Sequence, residues 1–144
     1  MPPSADVTVR SPVYDTERRK RVLRAITNIF PDGEVREIRD RDHLRHGEEL
    51  VVDAEDLEGF AEHVERQDIG PTVRSALLDG ATGHAVAVRL KKQAAFVDRL
   101  NVAVGGHELG ALDVRIETDD PEALVDRLAP AADLDGQDEG GAER

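Results

Sequence analysis

The chain has 144 residues, 31 acidic against 19 basic, a formal net charge of -12, and neither cysteine nor tryptophan. The lack of cysteine excludes disulfides, thiolate nucleophiles, cysteine zinc sites and iron–sulfur ligation, and it suits a cytoplasmic protein better than a small secreted one. A chain of this length fits one domain with a moderate core; it has no apolar run of about 18 residues to span a bilayer, and its opening MPPSADVTVR has no apolar core of signal-peptide length.

In chain order, Val7, Val9 and Val13 alternate with polar residues, which predicts a first strand with one face buried. Tyr14 and Asp15 end it, and Asp15 is placed to cap a helix with Val22, Leu23, Ile26, Ile29 and Phe30 at helical spacing. Pro31-Asp32-Gly33 stops that helix. Glu34 to Arg39 reads as a short strand, and the segment from Arg39 to Gly47 as a charged loop holding Arg41, His43, Arg45 and His46. Leu50-Val51-Val52 predicts a further strand, closed by Asp53 as the next helix cap. Leu57, Phe60, Ala61 and Val64 then form one apolar stripe at i, i+3, i+4 and i+7. Gly70-Pro71 breaks this helix, and Pro71 opens a short third one carrying Val73, Ala76 and Leu77 and ending near Gly80.

From His84 to Val104 the even positions carry Val86, Val88, Leu90, Ala94, Phe96, Leu100, Val102 and Val104, interrupted at Lys91-Lys92-Gln93. That period-two pattern predicts an antiparallel hairpin with its turn at the interruption. Gly105-Gly106 supplies a second turn, and Leu112, Val114 and Ile116 a further alternating strand. Asp119 or Asp120 caps a last helix opened by Pro121, with Leu124, Val125 and Leu128 inward and Pro130 as the stop. Residues 131–144 are too polar to fold alone and predict a disordered acidic tail after a domain spanning 1–130. The expected class is α+β, a single domain with a mixed, mostly antiparallel sheet and helices packed on one face.

The order of elements, with AITNIFPDGEVREI, IGPTVRSALLDG, LKKQAAFVDRLNV and LGALDVRIETDDPEALVDRLAP, resembles a family of small archaeal proteins described as RNA-binding or exosome-associated. The resemblance spans roughly residues 5 to 130, one ordinary domain. It implies a ribosomal-protein L-five-like fold and work on RNA. The most specific pieces of the resemblance are Lys92-Gln93-Ala94-Ala95 followed by an aromatic, and the closing Leu-Ala-Pro at 128–130.

Charge narrows the reading. Residues 1–50 hold ten acidic and ten basic groups, so the whole net charge sits in residues 51–144. Lys20, Lys91 and Lys92 are the only lysines beside 16 arginines, a bias expected of a surface kept soluble in concentrated salt, hence of a halophilic protein. The densest basic cluster is Arg18, Arg19, Arg21 and Arg24 with Lys20. It is joined as an RNA-binding candidate by Lys91, Lys92 and Gln93 at the expected hairpin tip and by Arg74. Guanidinium groups grip phosphate through paired hydrogen bonds, while a solvated face with local pairs such as Glu17 to Arg21 is the plainer explanation of any one of them. Phe30, Phe60 and Phe96 fall in apolar faces and leave only Tyr14 to stack, so the expected ligand is structured RNA read by shape, phosphate and 2'-hydroxyl rather than single strands.

No cofactor and no metal are expected. His43 and His46 have a metal-like spacing without a second ligand pair; His63, His84 and His107 read as surface or edge histidines; and Ser4, Ser11 and Ser75 sit in no nucleophile motif. The expectation is therefore a non-catalytic binder, an accessory factor in RNA processing or ribosome-related work. The alternative is a module whose acidic half docks on a larger RNA-processing complex without touching RNA.

Overall fold

A computed structural model describes residues 5–14, 16–40, 48–103 and 111–131. The elements are β1 (Ala5–Val13), α1 (Arg19–Ile29), β2 (Glu34–Asp40), β3 (Glu48–Ala54), α2 (Glu58–Gln67), α3 (Gly70–Asp79), β4 (Ala85–Lys91), α4 (Lys92–Phe96), β5 (Ala111–Thr118) and α5 (Pro121–Leu128). They form a five-stranded sheet in the order β2-β3-β1-β5-β4. Its four ladders are antiparallel.

Register follows the alternation. Val9 pairs with Val52 on one side and Val114 on the other, so Val7, Val9, Val52, Val88, Val114 and Ile116 share one buried face. The helices cover that face with Val22, Ile26 and Ile29, Phe60 and Val64, Val73 and Leu77, and Leu124, Val125 and Leu128. Phe30 and Phe60 meet at 6.0 Å between ring centroids in the middle of the core. A sheet whose one face reads apolar and whose other face reads Arg10, Arg89, Asp113 and Arg115 can be stable only with helices on the first.

Three expectations need correction. The hairpin across residues 84–104 is not continuous: β4 ends at Lys91 and the chain turns into α4, whose buried residues Lys92 and Ala95 are spaced three apart, the helical period. Asp98 at φ 61 then reverses the chain, with Arg99 N–H on the Ala94 carbonyl at 2.9 Å and Asp98 N–H on Ala95 at 3.0 Å. This helix ending uses the left-handed position normally given to glycine, so no glycine announced it. Among the described residues, the return arm is reduced to the Leu90–Val102 bridge.

Second, Asp53 caps no helix; it lies within β3 and pairs with Arg36 at 3.0 Å. The chain before α2 is held instead by Asp32, whose Oδ2 accepts from Glu55 N–H at 2.9 Å and Asp56 N–H at 3.2 Å, and by Asp56 accepting from Glu58 N–H at 2.8 Å. Third, α1 begins after Arg18, whose side chain makes no capping bond. Asp15, the charged loop from residue 41 to 47, the Gly105-Gly106 turn and the tail from 132 onward lie outside the described residues.

The β4 edge is closed by its own chain. Ala87 N–H donates to the Gly80 carbonyl at 2.9 Å, and Lys91 N–H and Ala103 N–H make bonds to Asn101 and Arg89 at 2.8 Å. A Cβ on Gly80 would stand 1.8 Å from the Ala87 carbonyl oxygen, so only glycine lets the end of α3 approach so closely.

Candidate nucleic-acid interface

Helix α1 brings its N-terminal end against α4, and between them lies a depression of about 630 Å³ lined by Tyr14, Thr16, Glu17, Arg18, Arg21, Lys92, Gln93 and Phe96. The two stretches singled out in the sequence, the basic helix and the segment around Lys92, therefore share one site although about 70 residues separate them. Asn28 Nδ2 donates to the Ala95 carbonyl at 2.8 Å, which ties α1 to α4. Gln67 clasps Leu100 through both main-chain groups, at 2.9 and 2.8 Å.

His63 belongs to the same clasp and is buried, where the sequence suggested a surface histidine. Its Nε2 sits 3.0 Å from the Asn28 carbonyl and 3.2 Å from the Asp98 carboxylate, while Nδ1 lies 3.1 Å from both Gln67 Oε1 and Arg66. In the sequence, the one sign of this burial is its spacing from Phe60 and Val64, which places it beside the apolar stripe of an otherwise acidic helix.

The candidate cations fall into different environments. Lys92 is buried; its ammonium donates to the Pro12 carbonyl at 2.6 Å and to Glu17 at 3.0 Å, and stands 5.2 Å from the Tyr14 ring. Lys92 therefore builds the wall of the depression, and Glu17, expected beside Arg21, is its partner. Arg21 lies over the Phe96 ring at 5.4 Å, so Phe96, half-buried and packed against the core, also lines the site. Arg18, Arg24 and Gln93 are exposed, and Lys91 is half-buried at the start of α4. Among the described residues, neither Arg18 nor Arg24 makes an ion pair.

Arg19 points elsewhere, in a two-pronged pair with Glu48 at 2.8 and 2.9 Å. Its guanidinium is held above its ordinary range by that hydrogen bond and charge. Arg74 is on the α3–α5 side, donating to the Ala129 carbonyl at 3.0 Å and paired with Asp126 at 2.8 Å.

Like α3, α1 has no acidic residue in its first turn and no basic one in its last. What sets α1 apart is that Arg18 to Arg21 crowd the end where unpaired N–H groups already make the helix positive. Such an end repels its own side chains and attracts an anion.

The larger concavity, about 1240 Å³, lies on the open sheet face and is bordered by α3, with Thr8, Arg10, Arg89 and Arg115 on its floor. Its charge is largely internally balanced, by Arg89–Asp113 at 2.9 Å and Arg115–Glu117 at 3.4 Å. Size favours this groove and chemistry favours the smaller one, because phosphate recognition needs cations not already committed to carboxylates.

Residues 6–118 match the family model described as RNA binding. The chain belongs to that RNA-binding family. It is similar to the UPF0201 protein of Methanothermobacter thermautotrophicus, 34% identical over 125 residues that cover 86% of this chain and 90% of the relative. It is also 33% identical over 129 residues to the UPF0200/UPF0201 protein of Archaeoglobus fulgidus, covering 88% of this chain but 38% of that longer protein. Among solved structures, the UPF0201 protein of Methanococcus jannaschii superposes with a TM-score of 0.77 at 28% identity, over 87% of this chain and 92% of the other. Another UPF0201 protein gives 0.76 at 32% identity, over 87% and 93%. The relatives named by organism are archaeal, and family membership carries the RNA-binding description. Among the described residues no helix is long and apolar enough to cross a membrane.

Proposed function

We propose that the protein binds structured RNA without catalysis, through the face formed by the N-terminal end of α1 and by α4. The observation that carries this reading is the gathering of Arg18, Arg21 and Gln93 around one depression, with Arg24 exposed one turn further along α1. Arg18, Arg21 and Arg24 contact phosphate oxygens, and Gln93 and the Tyr14 hydroxyl are placed for 2'-hydroxyl groups. Lys92 shapes the site from behind and touches no RNA. The L-five-like fold, an accessory place in RNA processing or ribosome-related work, a cytoplasmic setting and adaptation to high salt belong to the same reading. Near 1 M salt the screening length is about 3 Å, so such a protein must rely on direct contacts rather than on long-range attraction, and its net charge of -12 is then no obstacle.

The test is binding of the full chain to folded and single-stranded RNAs across a salt series, beside the triple variant Arg18→Glu, Arg21→Glu, Arg24→Glu. Preference for folded RNA is expected. The variant should bind at least about tenfold more weakly, with the salt dependence of log K shallower by roughly one unit for each phosphate that is no longer neutralised. Absence of binding by the parent at every salt concentration, or unchanged binding by a folded variant, refutes the reading.

A further inference from the structure

The two edges of the sheet are finished differently. The β4 edge is hydrogen-bonded to residues 80–82 and 101–103 of its own chain. Strand β2 pairs with β3 on one side, and among the described residues no strand or bridge pairs with its other side. Natural proteins shield such an edge or use it, since its unpaired N–H and C=O groups template another strand.

Two further features of β2 concern its side chains. Val35 and Ile38 are 38% and 42% exposed, half of the large exposed apolar residues in the described chain. Three residues apart in a regular strand, they would point to opposite faces. The ladder shifts between Val35 and Glu37, so Val35 stands opposite Val52 and Ile38 opposite Leu50, and both apolar groups emerge on the helix-covered side. The second feature is the order of charges. Glu34-Val35-Arg36-Glu37-Ile38-Arg39 is self-complementary when one copy is turned antiparallel to another, with Glu34 opposite Arg39, Val35 opposite Ile38 and Arg36 opposite Glu37.

We propose that two copies of this chain join β2 to β2 antiparallel, about a two-fold axis passing between Arg36 and Glu37. The contact is isologous, so each complementary pair occurs twice. Four ion pairs then flank four apolar side chains. Within one chain Arg36 and Arg39 are held by Asp53 and Glu37 at 3.0 Å, in half-exposed pairs that are worth little and exchange readily. A seam of one short strand per copy is small beside a standard interface of about 1,600 Å², so the association is reversible and concentration-dependent. None of this depends on the RNA reading, because the residues involved lie outside the α1–α4 site.

Sedimentation equilibrium of the full chain over a wide concentration range tests the proposal, with circular dichroism confirming that each variant is folded. The parent should show a monomer–dimer equilibrium. Ile38→Lys should weaken it by roughly tenfold or more, as expected for a central apolar side chain. Arg36→Glu alone places Glu opposite Glu at the axis, and Glu37→Arg alone places Arg opposite Arg, so each should be monomeric. An equimolar mixture of those two variants restores both opposite-charge pairs and should dimerise. Mixing cannot repair a defect within either chain, so the recovery reports the register itself. A parent that stays monomeric throughout, a dimer indifferent to Ile38→Lys, or a mixture no more associated than its folded components would each overturn the proposal.

Discussion

Helices α1 and α5 obey opposite rules. α5 is preceded by Asp120, whose Oδ1 accepts from Ala123 N–H at 3.1 Å, opens on Pro121, carries Glu122 in its first turn and closes with Arg127, which pairs with Glu58. Every local preference for a helix is met there. α1 has no side-chain cap and no acidic group in its first turn, and it packs four cations around its positive end. Its stability comes from the face holding Val22, Ala25, Ile26 and Ile29, all without solvent exposure. Core packing has tolerated an end that local electrostatics oppose. Disagreement between levels of this kind is concentrated where a chain does something other than fold.

Lys92→Ala removes the cation that Glu17 and the Pro12 carbonyl surround beneath the end of α1. With Glu17 itself near the surface, the loss should be about 3 kcal/mol, read as a lowered denaturation midpoint. A loss below about 1 kcal/mol would show that the depression does not depend on that buried pair. Asp120→Ala should cost about 1 kcal/mol, the usual worth of an N-cap, by the same measurement. Arg18→Asp should do the reverse, raising stability by about 0.5–1 kcal/mol by capping α1 and relieving its positive end, while weakening RNA binding. If Arg18→Asp lowered stability, or raised it and left binding untouched, the contrast between the two helices would be local accident rather than a sign of function.

Several elements were readable from residue order for the same reason that α5 is well formed. Alternation placed β1 and β5, the i, i+3, i+4, i+7 stripe placed α2, and Asp120-Pro121 marked the start of α5, because each signal lies within a few residues of the structure it governs. The hairpin expectation failed at Lys92 because alternation in the even positions continued through Ala94 and Phe96 while the backbone had become helical. Asp98, in a left-handed conformation without being glycine, ended that helix with no marker in the sequence.

For the candidate site the sequence named four of the eight residues lining the depression, Arg18, Arg21, Lys92 and Gln93, and offered Tyr14 as the aromatic to stack; it did not foresee that Phe96 would join it. What it could not separate was the role of each cation. Arg19 and Arg74 looked like Arg18 until their carboxylate partners, Glu48 and Asp126, were brought to 2.8 Å by the fold.

Residue order alone thus specifies the α+β class, the faces of most strands and helices, the caps of α5 and the end of α3, and the unequal division of charge. Local steric and hydrogen-bonding preferences act over one or two turns, and composition carries the rest. The meeting of α1 and α4, the burial of His63, and the inward turn of Lys92 to a carboxylate 75 positions away arise only in the folded chain. Whether a charged side chain is exposed or buried depends on what packs against it, and contacts between segments so far apart leave no periodicity in the chain from which they could be read.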